Sequence, residues 1–433
     1  MTNNDTDPGA AANARWIVVI AFLVAYIFSF VDRMIIGLMV EPLKHDLQLT
    51  DTQVSLLQGF AFALFYTVVG LPIGRLVDRR KRVAIAGWGI ALWSLFTAAC
   101  GLAQNYGQLF LARMGVGIGE ATLSPSAYSI FADLFDRNRL GVALGVYNVG
   151  SAIGGGLAMI VGGSIAHFAA TQGSVSVPWL GELHPWQLTF LYVGLPGLLV
   201  AAWVLSLPEP RRRDAPVDAV SGEFRAFVKE KRRFVAGHHL GVAFSNLAAF
   251  AVVSWMPVML MRAYGWTIAE AGLAVGGALI VGGLLGLIGS GWLSDRSRVR
   301  HGVHGRLRFC IWISLLGIPA SAALGSASSG HIALLLFTGI YVCSIGTISP
   351  AAATLQEIAP PRLRGQSSAF YLFVVNLIGI PLGATSVALL SDHVFTATDG
   401  IRHSLSVVAP AALAIAALCY RASIGGIDDT TSR

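Results

Sequence analysis

The sequence predicts an all-α membrane protein of twelve transmembrane helices in two six-helix bundles. Three observations predict it: the run of hydropathy along the chain, the placement of basic residues, and an internal repeat. Of 433 residues, 55% are hydrophobic and 12% charged, against about a quarter charged in ordinary soluble domains. A water-soluble core cannot hide that much apolar surface, and successive apolar runs reach the roughly 20 residues needed to cross a bilayer.

Hydropathy places the spans at about 16–41, 53–74, 83–104, 107–131, 140–168, 187–207, 234–260, 268–293, 309–327, 331–354, 366–391 and 403–420. The residues before Arg15 lack the basic n-region and small-residue cleavage site of a secretory signal, so the first run is expected to stay as a span. Most of the 30 Lys and Arg fall in the termini and the even-numbered loops. Lys44, Arg262 and Arg402 sit in odd-numbered loops, and Arg33 and Arg113 inside spans. Positive charge marks the cytoplasmic side, which puts both termini there.

The largest break divides the chain into an N-terminal bundle (1–207), a cytoplasmic linker (208–233) and a C-terminal bundle (234–433). Pro208 and Pro210 end the sixth span, and the linker is rich in Arg and Lys. The segment from Phe224 to Arg232 reads either as an amphipathic helix on the inner leaflet or as a solvated linker. The net charge of +7 follows from this topology and does not point to nucleic acid. Cys100, Cys310, Cys343 and Cys419 lack disulfide or zinc spacing and read as packing residues. No metal-ligand cluster, nucleotide-binding loop or nucleophile with its base is found. An enzyme is therefore not expected, and neither is a cofactor.

The halves repeat. Gly74-Arg75-Leu76-Val77-Asp78-Arg79 after span two parallels Gly291-Trp292-Leu293-Ser294-Asp295-Arg296 after span eight. Thr122-Leu123-Ser124-Pro125 in span four parallels Thr347-Ile348-Ser349-Pro350 in span ten, and Arg139 parallels Arg364 at the same offset.

The loop after span two matches the Gly-x-Leu-x-Asp-Arg motif of the major facilitator superfamily at Gly74, Leu76, Asp78 and Arg79. Arg82 is also in place, and Lys81 stands where that family usually has Gly. The chain resembles the superfamily over nearly its full length. The resemblance implies a substrate site near the midplane between the halves, and a transporter rather than a receptor. It assigns Gly74, Asp78, Arg79, Asp295 and Arg296 to gating, with Gly74 permitting close helix approach and the charged pairs holding helix ends. The glycines of span five, Gly145, Gly150 and Gly154 among them, resemble the exporter motif of the superfamily, with Ser151 where a proline is usual.

Charges inside spans are costly and persist when they pair within a bundle or line an aqueous cavity. Asp32 and Arg33 stand about nine residues before Glu41, on the order of 12 to 15 Å inside the outer end of span one. Arg113 and Glu120 lie two helical turns apart on span four, with Ser124 and Tyr128 following at four-residue steps on the same expected face. Arg33 is expected to pair with Glu120, and Asp32 to meet Arg113 or a neighbouring polar group. The C-terminal spans offer neutral polar candidates instead, including Ser245, Asn246, Thr347 and Asn376. Phe28, Tyr128, Trp255, Tyr371 and Phe373 are aromatic pocket candidates whose plain alternative is core packing. His238 and His239 are expected at the cytoplasmic interface.

Asp32-Arg33, the segment from Arg113 to Ala121, Pro125, and Phe131-Ala132-Asp133-Leu134-Phe135 together resemble the spinster-type branch, whose animal members move sphingosine-1-phosphate and lysophospholipids. Related organic-anion importers also place an Asp-Arg pair in span one. The expected function is proton-coupled transport of an amphiphilic anionic lipid. Glu120 and Asp32 would carry protons, and Arg33 would anchor the substrate with Arg113 beside it. The alternatives are a proton symporter of small carboxylates or other organic anions, and a non-transporting membrane lipid sensor. The expected setting is a bacterial inner membrane. A monomer is expected, with protons, membrane lipids and the substrate as its partners and no nucleic acid.

Overall fold

The computed structural model describes residues 8–135, 137–178, 181–212, 222–360, 363–397 and 399–431. Among these residues, eleven helices are long and apolar enough to cross a membrane. The remaining expected span, the fourth, is present as two shorter helices, Tyr106–Glu120 and Leu123–Leu134. Span ten is interrupted in the same way, into Gly330–Ile345 and Ile348–Ile358.

The cause lies in the repeated Thr-x-Ser-Pro. Proline has no N–H to donate four residues back, so the carbonyls of Ala121 and Gly346 lose their helical partners ahead of Pro125 and Pro350. The threonine at each break turns its hydroxyl onto a preceding carbonyl: Thr122 Oγ1 donates to Gly119 O at 2.8 Å and Thr347 Oγ1 to Ser344 O at 3.0 Å. Spans two and eight also match, each with one π-helical stretch, at Leu56–Phe60 and Leu285–Gly289. Duplication thus shows in irregularities as well as in motifs.

The chain forms two compact units, Met1–Ile35 with Leu64–Val217, and Ile36–Ala63 with Asp218–Arg433. In the first, span three (Arg82–Cys100) packs against spans four and six. Gly89 and Gly119 let spans three and four cross closely. A Cβ on Gly119 would fall 2.7 Å from the Trp93 backbone nitrogen, and one on Gly89 would overlap Thr122. At the start of span three, buried Arg82 donates to Glu209 at 2.9 Å and to Asp133. A short antiparallel hairpin, Val175–Val177 with Gly181–Leu183, precedes span six and was not expected from hydropathy.

In the second unit, span seven (Arg232–Tyr264) is central, packed by spans ten, eleven and twelve. Trp255 donates its indole N–H to the Ala384 carbonyl at 2.9 Å. The residues from Ile36 to Ala63, which precede span three in sequence, pack with these C-terminal spans. Asp392 of span eleven accepts from the Thr52 backbone N–H at 2.7 Å and hydroxyl at 2.6 Å, and Arg262 holds Asp51 through two 2.9 Å bonds. Arg306 reaches Glu357 at 2.8 Å, at the same sequence offset from the Arg82–Asp133 pair, so each repeat ties the start of its third span to the end of its fourth. Of the two readings of the segment from Phe224 to Arg232, the structure has a helix, Glu223–Glu230, whose Phe224, Phe227 and Val228 pack on the C-terminal core.

Candidate functional site

Span one brings Ser29, Asp32 and Arg33 to the interior of the first unit, where the break in span four leaves Glu120 at the end of a half-helix. Arg33 Nε and Nη2 both lie 2.7 Å from Glu120 Oε2, and the Ser29 hydroxyl donates to that same oxygen at 2.6 Å. Glu120 is 2% exposed and Asp32 3%, while the Arg33 side chain keeps 14%. The expected Arg33–Glu120 pair is therefore formed. The other carboxylate oxygen, Oε1, is buried with no hydrogen-bond partner among the described residues, and so is Oδ1 of Asp32. Arg113, fully buried, donates to the Asp32 backbone carbonyl at 3.0 Å.

Two rings flank the guanidinium. Arg33 lies 5.2 Å from the Phe30 ring centre and 4.9 Å from that of Tyr66. Tyr26 stacks on Tyr147 at 4.6 Å, and Tyr147 meets Tyr128 edge-on. These rings form an aromatic cluster with hydroxyls at its edges, and two of them make cation–π contact with the arginine. Ser29, Tyr26, Tyr66, Tyr147 and Asn148 were not among the sequence candidates. Ser29 was accessible to the same reasoning, lying one turn before Arg33.

Several expectations change. Ser124 and Tyr128 do not continue the Glu120 face, because one helix ends at Glu120 and the next starts at Leu123: Ser124 pairs with the Tyr147 hydroxyl at 3.0 Å and Tyr128 donates to Asn148 at 3.1 Å. Phe28 is half-buried on span one. In the second unit, Trp255 and Thr347 are fully buried with their polar atoms spent on backbone carbonyls, which makes them packing and helix-break residues. Asn246 is buried against Gly379. Tyr371 is buried, 5.6 Å from the His238 ring and 5.7 Å from that of His239. The two histidines, near the start of span seven, are buried within the protein, with His238 Nε2 2.8 Å from the Ala351 carbonyl. Phe373 and Asn376 keep partial exposure.

In the expected gating loops, a Cβ on Gly74 would meet nothing within 4 Å, so no close helix approach depends on it here. Arg79 is exposed, and the side chain of Asp78 lies outside the described residues. Asp295 accepts from Arg306 at 2.9 Å rather than from its neighbour Arg296, whose guanidinium lies 3.4 Å from the Trp292 ring centre. In span five, Gly150 and Gly154 admit Leu23, Ile27 and Phe30 of span one to close contact.

The chain is similar to an MFS-type efflux pump of Mycolicibacterium smegmatis, 27% identical over 96% of this chain and 94% of that protein. It is 24% identical to a probable galactarate/D-glucarate transporter of Escherichia coli, over 96% of this chain and 94% of the other. Among solved structures it is similar to a bacterial homologue of the human lysosomal transporter spinster, crystallised in an inward-facing and unoccupied conformation. The TM-score is 0.82 at 26% identity, covering 97% of this chain and 99% of that one, in agreement with the spinster-type resemblance read from the sequence. The family profile matches residues 22–384, and the chain belongs to the Major Facilitator Superfamily, as a multi-pass membrane transporter.

Proposed function

We propose that the chain is a proton-coupled secondary transporter of an amphiphilic anionic lipid of the lysophospholipid or sphingosine-1-phosphate class, working by alternating access. The observation that carries this reading is the state of Glu120. One of its oxygens holds Arg33 and Ser29, and the other is buried and unpartnered. A carboxylate with one oxygen paired and the other orphaned offers a place where a proton can be held.

While ionised, Glu120 occupies Arg33. Once protonated, it is a neutral acid whose attraction for the guanidinium is much weaker, and Arg33 becomes available to a phosphate or carboxylate. Proton and substrate then compete for one arginine, which is the simplest basis for coupling their movements. Asp32, with its own unpartnered oxygen, is the second proton carrier, and Arg113 fixes the backbone beside it. The partly exposed rings of Phe30, Tyr66 and Tyr26 suit an apolar tail next to an anionic head better than a wholly polar solute. Asp78 with Arg79, and Asp295 with Arg296, are assigned to gating.

The similarity to a galactarate/D-glucarate transporter favours a second reading, a proton symporter of small organic acids anchored on the same Arg33. The relatives compared are a pump and transporters, which leaves a non-transporting lipid sensor without support. The deciding experiment uses purified protein in liposomes with an imposed pH gradient, offered fluorescent lysophospholipid and glucarate in the same assay. Gradient-dependent movement of the lysophospholipid alone is the expected result. Movement of glucarate alone transfers the assignment to the symporter reading.

A further inference from the structure

At the end of span two, the first unit holds a cavity of about 300 Å³ lined by Arg79, Arg80, Lys81, Glu209, Pro210 and Arg212. Its one carboxylate is already engaged. Glu209 accepts from buried Arg82 at 2.9 Å through one oxygen, and from the Val83 backbone N–H at 2.8 Å through the other. Arg212 turns one amino group onto the Val77 and Arg80 carbonyls, the latter at 2.8 Å, satisfying the end of the span-two helix. Arg79, Arg80 and Lys81 are exposed, and the two ion pairs described at this junction, Arg82 with Asp133 and with Glu209, use none of the three. The cavity therefore gathers four basic side chains around one carboxylate that is already engaged, which makes it a site of positive potential.

What lies next to it decides the kind of anion. Lys81 caps the start of span three, and Trp88, Leu92 and Leu95 of that span are exposed. Two turns separate Lys81 from Trp88, and the leucines follow at four- and three-residue steps, so all four share one helical face. A cationic mouth with a tryptophan and an apolar stripe running into the membrane matches an amphiphile at the interface. A free phosphate in water would have no use for the stripe. The basic loops of the chain lie at this end, which is the cytoplasmic side by the distribution of positive charge.

We propose that this cavity binds the phosphate headgroup of an anionic phospholipid of the cytoplasmic leaflet, with its acyl chains lying along Trp88, Leu92 and Leu95. The site is separate from Arg33 and Glu120 and does not depend on which substrate crosses. Bound there, the lipid neutralises the loop between spans two and three and holds it at the membrane surface.

The test is lipid retention by purified, delipidated protein in detergent, titrated with phosphatidylglycerol or phosphatidylcholine and read by native mass spectrometry. The wild-type protein is expected to prefer phosphatidylglycerol, with the preference shrinking as salt rises. A basic side chain at an anionic surface contributes about fivefold in affinity, so Arg80→Gln with Lys81→Gln is expected to weaken phosphatidylglycerol binding by about 25-fold. Phosphatidylcholine binding should stay unchanged, and the charge-conserving pair Arg80→Lys with Lys81→Arg should keep the wild-type preference. The proposal is overturned if the glutamine pair binds phosphatidylglycerol as well as wild type, or if the wild-type preference ignores salt. Displacement of the lipid by an equal concentration of inorganic phosphate assigns the cavity to a soluble anion and also overturns it.

Discussion

Arg33 and Glu120, distant in sequence on spans one and four, meet inside the first unit, with two guanidinium nitrogens 2.7 Å from a single carboxylate oxygen. Charging both groups in a place nearly closed to water is expensive, and the contact offsets the expense only while both partners stay charged. A proton delivered to Glu120 therefore changes what Arg33 does.

Glu120→Gln keeps the shape of the side chain and its capacity to accept from Ser29, but cannot release a proton. Liposome uptake driven by a pH gradient should be abolished, while substrate binding at equilibrium persists or tightens, because Arg33 is no longer held by a carboxylate. Full gradient-driven transport by this variant removes Glu120 from the coupling role.

Arg33→Ala removes the anion anchor. A charge-assisted hydrogen bond is worth about 1.5–3 kcal/mol, so affinity for an anionic lipid analogue should fall by roughly 10- to 150-fold when measured by direct binding. Arg33→Lys should recover part of the loss, since an ammonium supplies the charge but not the planar fork. Unaltered affinity in the alanine variant would mean that the headgroup sits elsewhere.

Arg82→Ala should lower thermal stability without touching the Arg33–Glu120 site. It leaves Asp133 and Glu209 without their shared cation and frees the Pro210 carbonyl. The expected cost is about 3 kcal/mol, the lower end for breaking a buried pair, because both carboxylates keep some solvent contact. A melting temperature equal to wild type in detergent would show that this junction contributes little.

Gly119→Ala and Gly74→Ala should part company, although both replace a helical glycine. At Gly119 the new methyl would lie 2.7 Å from the Trp93 backbone nitrogen, and such overpacking costs about 1–3 kcal/mol. At Gly74 there is open space, and alanine should be neutral or stabilising by up to about 1 kcal/mol through helix propensity. Equal melting temperatures for the two variants would contradict the crossing described between spans three and four.

Much of this architecture is legible without coordinates, because a bilayer imposes strong rules on sequence. Apolar runs of spanning length locate the helices, and paired motifs such as those at Asp78 and Asp295 expose the duplication. The cost of intramembrane charge also forces Arg33 and Glu120 to find each other, so their contact follows from two facts of sequence and one of solvation. The breaks in spans four and ten were written in the sequence as well, in Pro125 and Pro350. A proline three residues after a threonine nevertheless reads equally well as a kink, and only the backbone shows that the helix stops.

Tertiary structure alone decided the rest. It placed Tyr66 against Arg33, stacked Tyr147 on Tyr26, paired Asp295 with Arg306, buried His238 and His239, and packed the residues from Ile36 to Ala63 with the C-terminal spans. Sequence periodicity reports the face a residue occupies on its own helix, but not which neighbouring helix meets that face or in what register. Inside a membrane nearly every face is apolar, so hydropathy loses its power to separate core from periphery. Which helices meet is then determined by close packing and by the few polar groups that must be satisfied.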